Sequence, residues 1–136
     1  MLIPITTTTT LPASAAANTS IMAGSRMTEQ SFTTELLKWA KTYGWRCFHV
    51  RNSGHAGMTA VQGDKGFPDL VLCKPPRLIF AELKIGKKKP TPEQRAWLDA
   101  LAENSQDVYG MPSNAVETFV WRPEDWNRIL VVLSGQ

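Results

Sequence analysis

Two apolar runs set the frame of this chain: Asp69 to Cys73 and Arg77 to Leu83, separated by Lys74-Pro75-Pro76. Both are short and rich in Leu, Val, Ile and Phe, as strands are. Two adjacent prolines lack the N–H groups that would continue a ladder, so the runs fold back on each other as a hairpin. Side chains alternate faces along a strand, which puts Glu82 and Lys84 on one side and sends Leu83 into packing on the other. Leu78 and Phe80 share the side of Glu82, so the charges stand at the end of an apolar face. Charged groups there are costly unless they are paired or hold a cation. Asp69 opens the first strand behind Pro68, and the hairpin carries it toward Glu82.

The flanking segments read as helices and further strands. Phe32, Leu36, Trp39, Ala40 and Tyr43 recur at helical spacing from Thr28, and Gly44 stops the run. Trp45 to Val50 reads as a strand, and Arg51 to Lys65, rich in Gly and polar residues, as a long loop. Thr91-Pro92-Glu93-Gln94 is a helix start with a cap, a proline at the first position and a capping-box glutamine. That helix runs to about Glu103 with Trp97, Leu98 and Leu101 inward. A short strand around Val108, a second from Glu117 to Trp121, and a last helix from near Pro123 carrying Trp126, Ile129, Leu130 and Leu133 complete the chain. The expected fold is a mixed α/β domain, a central sheet flanked by helices.

The 136 residues suffice for one domain with its own core. Residues 1–26, rich in Thr, Ala and Ser with five consecutive threonines from Thr6, bury too little apolar surface to order themselves. They read as a disordered, low-complexity tail ahead of a domain over residues 27–136. Pro12-Ala13-Ser14-Ala15 resembles a signal cleavage site, but the basic and continuous apolar regions of a secretory signal are missing. No stretch approaches a membrane span. Cys47 and Cys73 both lie in strand-like runs and read as buried free thiols, which fits a reducing cytoplasm. A net charge of +3 says little about partners. The crowding of Lys84, Lys87, Lys88, Lys89 and Arg95 says more: it is either a phosphate-facing patch or a solvated loop.

Two converging carboxylates need a proton or a cation between them. Oxygen ligands suit magnesium or manganese better than zinc. A lysine beside them can orient or activate water, or steady the charge growing on a phosphate. Asp69, Glu82 and Lys84 thus imply metal-assisted hydrolysis of a phosphodiester. Spacing alone leaves a second reading open, with Glu82 and Lys84 on a solvent face and Asp69 a turn residue. His49 and His55 fit no helical metal pair. His49 is either a phosphate contact at its strand end or structural. Arg51, Asn52 and Ser53 are candidate DNA contacts through phosphates, with Lys87, Lys88 and Lys89.

The residues quoted, Gly66-Phe67-Pro68-Asp69-Leu70, Ala81-Glu82-Leu83-Lys84, Thr91-Pro92-Glu93-Gln94 and Trp121-Arg122-Pro123 with Asp125-Trp126, together resemble the PD-(D/E)XK nuclease superfamily. More narrowly they are similar to its VRR-NUC family, and Thr28-Glu29, Phe32, Gly44-Trp45 and His49 extend the likeness toward the N-terminus. The resemblance implies a restriction-endonuclease-like core and a Mg2+-dependent DNA endonuclease, with Mn2+ as a possible substitute. Asp69 and Glu82 would be metal ligands, Lys84 the catalytic lysine and Gln94 an active-centre residue. Glu29 would be the first-helix acid that completes the metal site, with Glu35, six residues on, competing for that role. It further implies a structure-selective, junction-resolvase-like enzyme and a homodimer. The Val-Arg-Arg triplet behind the family name is absent, which weakens any transfer of substrate preference. Two other readings stand beside it: a nucleic-acid-binding module that does not cut, and a sequence-specific restriction enzyme, for which about 110 residues leave little room.

Overall fold

A computed structural model describes residues 27–50, 62–105, 109 and 115–135. The N-terminal tail, the strand expected around Val108, and Arg51, Asn52, Ser53 and His55 lie outside the described residues.

Helix α1 (Glu29–Thr42) starts at a capping box: Ser31 N donates to Thr28 Oγ1 (3.0 Å) and Thr28 N to Ser31 Oγ (3.1 Å). Its stripe of Phe32, Leu36, Trp39 and Ala40 is buried. Gly44, at φ +90, turns the chain off the helix. Strand β1 (Arg46–His49) then pairs antiparallel with β2 (Leu70–Lys74), and β2 with β3 (Arg77–Leu83). The expected Pro75-Pro76 turn joins the hairpin.

From β3 the chain crosses through α2 (Pro92–Ala102) and a 3-10 turn (Glu103–Ser105) to β4 (Val116–Trp121), which lies parallel to β3. The sheet is therefore four-stranded and mixed, in the order β1-β2-β3-β4. A 3-10 turn (Pro123–Asp125), held by Arg122 N donating to Asp125 Oδ2 (2.9 Å), leads into α3 (Trp126–Ser134). The last helix thus begins three residues later than Pro123 suggests.

The two sheet faces differ. Leu70, Leu72, Ile79, Ala81, Leu83 and Trp121 point to one side, where α1 and α3 bury them in a single apolar cluster with Trp45 and Trp126. A clasp closes its far end. Trp45 Nε1 donates to Leu133 O (2.8 Å), and Arg77 lies over the Trp45 ring, donates to Val132 O and forms a two-point ion pair with Glu117. On the other side α2 packs against β4 and β3. Leu98 is buried there, whereas Trp97 and Leu101 are only partly so, because α2 packs mainly against β4 and β3 among the described residues. No helix among the described residues is long and apolar enough to cross a membrane.

Candidate functional site

The β2–β3 register pairs Leu70 with Ala81, and one step further brings Asp69 opposite Glu82. Both point away from the main core, toward the α2 side. Three local features hold Asp69 there. Pro68 is fully buried beneath it, Val50 N donates to its carbonyl (2.8 Å), and Leu83 N donates to its Oδ2 (2.9 Å). This last bond ties a β3 backbone donor to the Asp69 side chain, so the carboxylate is oriented by the sheet itself.

Glu82 is 1% exposed and Asp69 8% exposed. Lys84 Nζ reaches Glu82 Oε1 at 3.0 Å, while Glu82 Oε2 is buried without a hydrogen-bond partner. Lys84 N is fixed on the Trp121 carbonyl (3.0 Å), which sets the start of its side chain at the end of β3. Burial pushes the Glu82 carboxyl up to about 7, and the charge of nearby Asp69 adds to this; Lys84 opposes both but does not cancel them. Two neighbouring carboxyls, one of them with a buried oxygen that has no donor among the described residues, could take a hard cation. Magnesium is commonly held by one or two carboxylates with waters and phosphate filling the rest.

Beside the pair, a cleft of about 400 Å3 lies between the loop before Asp69 and the start of α2, lined by Val50, Gly66, Phe67, Thr91 and Gln94 among others. Gly66 has φ +95, and a Cβ on it would stand 2.5–2.7 Å from the Glu93 and Gln94 backbone. Only glycine lets this loop touch the helix. Phe67 stands edge-on to both Phe80 and Trp97, at 6.0 and 5.0 Å between ring centres. Trp97 Nε1 donates to Asp64 O (3.2 Å). Together these contacts fasten the loop carrying Pro68 and Asp69 onto α2.

The expected site residues divide accordingly. Asp69, Glu82 and Lys84 are brought together. Gln94 lines the adjacent cleft, with its Oε1 accepting from Thr91 N (2.9 Å) as the capping box requires. Glu29 is exposed at the start of α1, and no group of three or more His, Cys, Asp or Glu suited to a metal exists among the described residues. Lys87, Lys88 and Lys89 are exposed in the turn beyond Lys84. His49 pairs with Leu70 and so faces the main core side, away from the carboxylates. Arg122 donates to Gly86 O (3.2 Å) and Trp126 is buried, a packing motif at the helix start. The Leu83 N–Asp69 bond and the Gly66–α2 contact were not read from the sequence. Gly66 lay in a quoted motif, but its partner is 27 residues away.

Comparison of the chain with known protein families, with curated proteins and with solved structures finds no match.

Proposed function

We propose that this protein is a magnesium-dependent DNA endonuclease of PD-(D/E)XK type, similar to the VRR-NUC family, with Asp69, Glu82 and Lys84 at its centre. The observation that carries the reading is the buried, register-matched pair Asp69 and Glu82, whose Glu82 Oε2 has no partner while Oε1 meets Lys84. The mixed sheet, with α1 and α3 on one face and α2 on the other, is compatible with a restriction-endonuclease-like core. The ion would neutralise charge on the phosphoryl group and help to supply a nucleophile. Asp69 and Glu82 would hold it, and Mn2+ would serve in its place. Lys84, an ammonium at the mouth of the pair, orients water or steadies charge on the phosphate oxygens. Gln94, in the adjacent cleft, and the exposed lysines from Lys87 to Lys89 would position the backbone of the DNA. The free thiols at Cys47 and Cys73 fit a cytoplasmic protein, and a homodimer would allow paired cuts.

A role in binding alone is disfavoured by electrostatics. Two carboxylates beside the cleft would repel a phosphate bound there unless a cation intervened. The test is cleavage of labelled linear, nicked, flapped and four-way-junction DNA in magnesium, manganese or EDTA. Cutting should require the metal and fall at least about a hundredfold in both Asp69→Ala and Lys84→Ala. Binding without cutting, unchanged by either substitution, would overturn the catalytic reading.

A further inference from the structure

Among the described residues, the α2 side of the sheet is only half covered, and its open half is not blank. Phe48 pairs with Val71 across β1 and β2, which puts it on the same face as Phe80, Glu82 and Asp69. It is 64% exposed, one of the few large apolar side chains so open among the described residues. Arg46 precedes it by two residues, shares its face and is exposed. Asp69 lies two residues from Val71 along β2, so it is a diagonal neighbour of Phe48, about 7–8 Å away. Arg46 stands about 7 Å further along the strand.

From this placement we infer that the open half of the sheet binds an unpaired DNA strand that runs from the carboxylate pair, with a base stacked on Phe48 and the next phosphate held by Arg46. This rests on the nuclease reading above and adds a subsite to it: the Phe48 and Arg46 face, which takes an unpaired nucleotide beside the scissile phosphate. The spacing suits a nucleic acid. A phosphate at Asp69 and Glu82 leaves the adjoining base about one diagonal step away, where the exposed ring offers a stacking surface. A paired base cannot use that surface, because its faces are already covered by its neighbours in the duplex. The alternation of a cation with an aromatic ring on one strand face is the combination that tracks single strands. A bare solvent-exposed Phe on a soluble sheet otherwise gains nothing from water.

The test uses the full chain and fluorescein-labelled DNA, as a 12-nucleotide single strand and as a blunt duplex of the same sequence. Anisotropy is read in calcium, with cleavage of a 5′ flap in magnesium as a second arm. Phe48→Ala should weaken single-strand binding about tenfold and leave duplex binding unchanged, while Phe48→Trp should restore it. Arg46→Ala should lower the salt slope of single-strand binding by about 0.7. Phe48 and Arg46 are exposed, so thermal melting of each variant should match wild type. Single-strand binding by Phe48→Ala equal to wild type, with metal-dependent cutting intact, would overturn this inference and leave the nuclease reading standing. Failure of the wild type to bind or cut any of these DNAs would overturn both.

Discussion

Replacing Glu82 by Gln should make the metal-free protein more stable at neutral pH, by an amount that depends on pH in a defined way. The folded Glu82 carboxyl sits at about 7 against an ordinary 4.5. An acid raised in the folded state keeps its proton there while the unfolded chain has already lost it. Between pH 4.5 and 7 the folded state therefore binds more protons, and its stability falls as pH rises. The penalty is absent below pH 4.5 and complete above pH 7. At about 1.4 kcal/mol per pH unit it reaches about 3 kcal/mol, a large share of the 5–15 kcal/mol that typically holds a domain together. Glutamine does not ionise, so the stability difference between Glu82→Gln and wild type should grow by about 3 kcal/mol from pH 4.5 to pH 8. The Lys84 ion pair is already counted in this difference, because it lowers the Glu82 value and reaches full strength only once Glu82 ionises. Urea unfolding at constant ionic strength in EDTA, at half-unit pH steps, measures it. A difference that stays constant across the range would refute the reasoning, since it would mean that Glu82 titrates alike in the folded and unfolded chains. Saturating magnesium should replace the proton and flatten the wild-type curve. It should stabilise wild type by about 2.7 kcal/mol at a hundredfold excess over its Kd, with Glu82→Gln gaining far less.

Three further outcomes follow from neighbouring contacts. Gly66→Ala forces a Cβ into the Glu93–Gln94 backbone at a positive φ, and should destabilise by at least about 2 kcal/mol in urea unfolding; unchanged stability would sink the close-packing argument. Gln94→Ala should cost about 1 kcal/mol through the lost capping box, and Gln94→Glu should restore that stability because glutamate also closes the box. If Gln94→Glu restores DNA cleavage as well, the residue acts only as a cap; if cleavage stays low, it contacts the substrate. Arg77→Ala removes the Glu117 ion pair, the Val132 hydrogen bond and the Trp45 ring contact. It should cost about 1–3 kcal/mol of stability without altering kcat for cleavage, as the clasp lies at the opposite end of β3 from Glu82.

What could be read in advance was whatever short stretches decide for themselves. The α2 start was legible because its cap, proline and glutamine are all within four residues, and the threonine and glutamine make both bonds of the expected box. The β2–β3 hairpin was legible because Pro75 and Pro76 interrupt pairing, and its register then brings Asp69 opposite Glu82. The cap of α1 was harder to see, since Ser31 supplies the second half of the box in place of the usual Glu or Gln. Trp97 and Leu101 were expected inward on helical spacing, which tells the side of a helix but not how much sheet it covers. Glu29 as the first-helix acid rests on resemblance alone, because nothing local in the sequence ties the first helix to Asp69. The Leu83 N–Asp69 bond and the Arg77 clasp join residues 14 to 55 positions apart. Such contacts depend on tertiary packing and leave no periodic trace.

The energetics of the proposed cation site also bear on how the protein would bind DNA. A module that only held DNA would gain from any neutral residue at 82: the buried carboxyl destabilises the fold above pH 7, and with Asp69 it repels the phosphates the cleft would have to accept. Lys84 offsets this only in part, since Glu82 remains raised despite it. The ammonium satisfies Oε1 and leaves Oε2 of the ionised carboxylate without a donor among the described residues. A divalent cation would remove both penalties in one step, by giving Oε2 a partner, neutralising Asp69 and Glu82 and turning repulsion of a phosphate into attraction. DNA affinity should therefore rise steeply with magnesium or calcium in wild type and become nearly independent of either ion in a combined Asp69→Asn, Glu82→Gln variant, which should bind DNA in EDTA more tightly than wild type does. Equal affinity of the two proteins in EDTA would mean that the carboxylates do not face the bound phosphate, and the site would have to be sought elsewhere on the sheet.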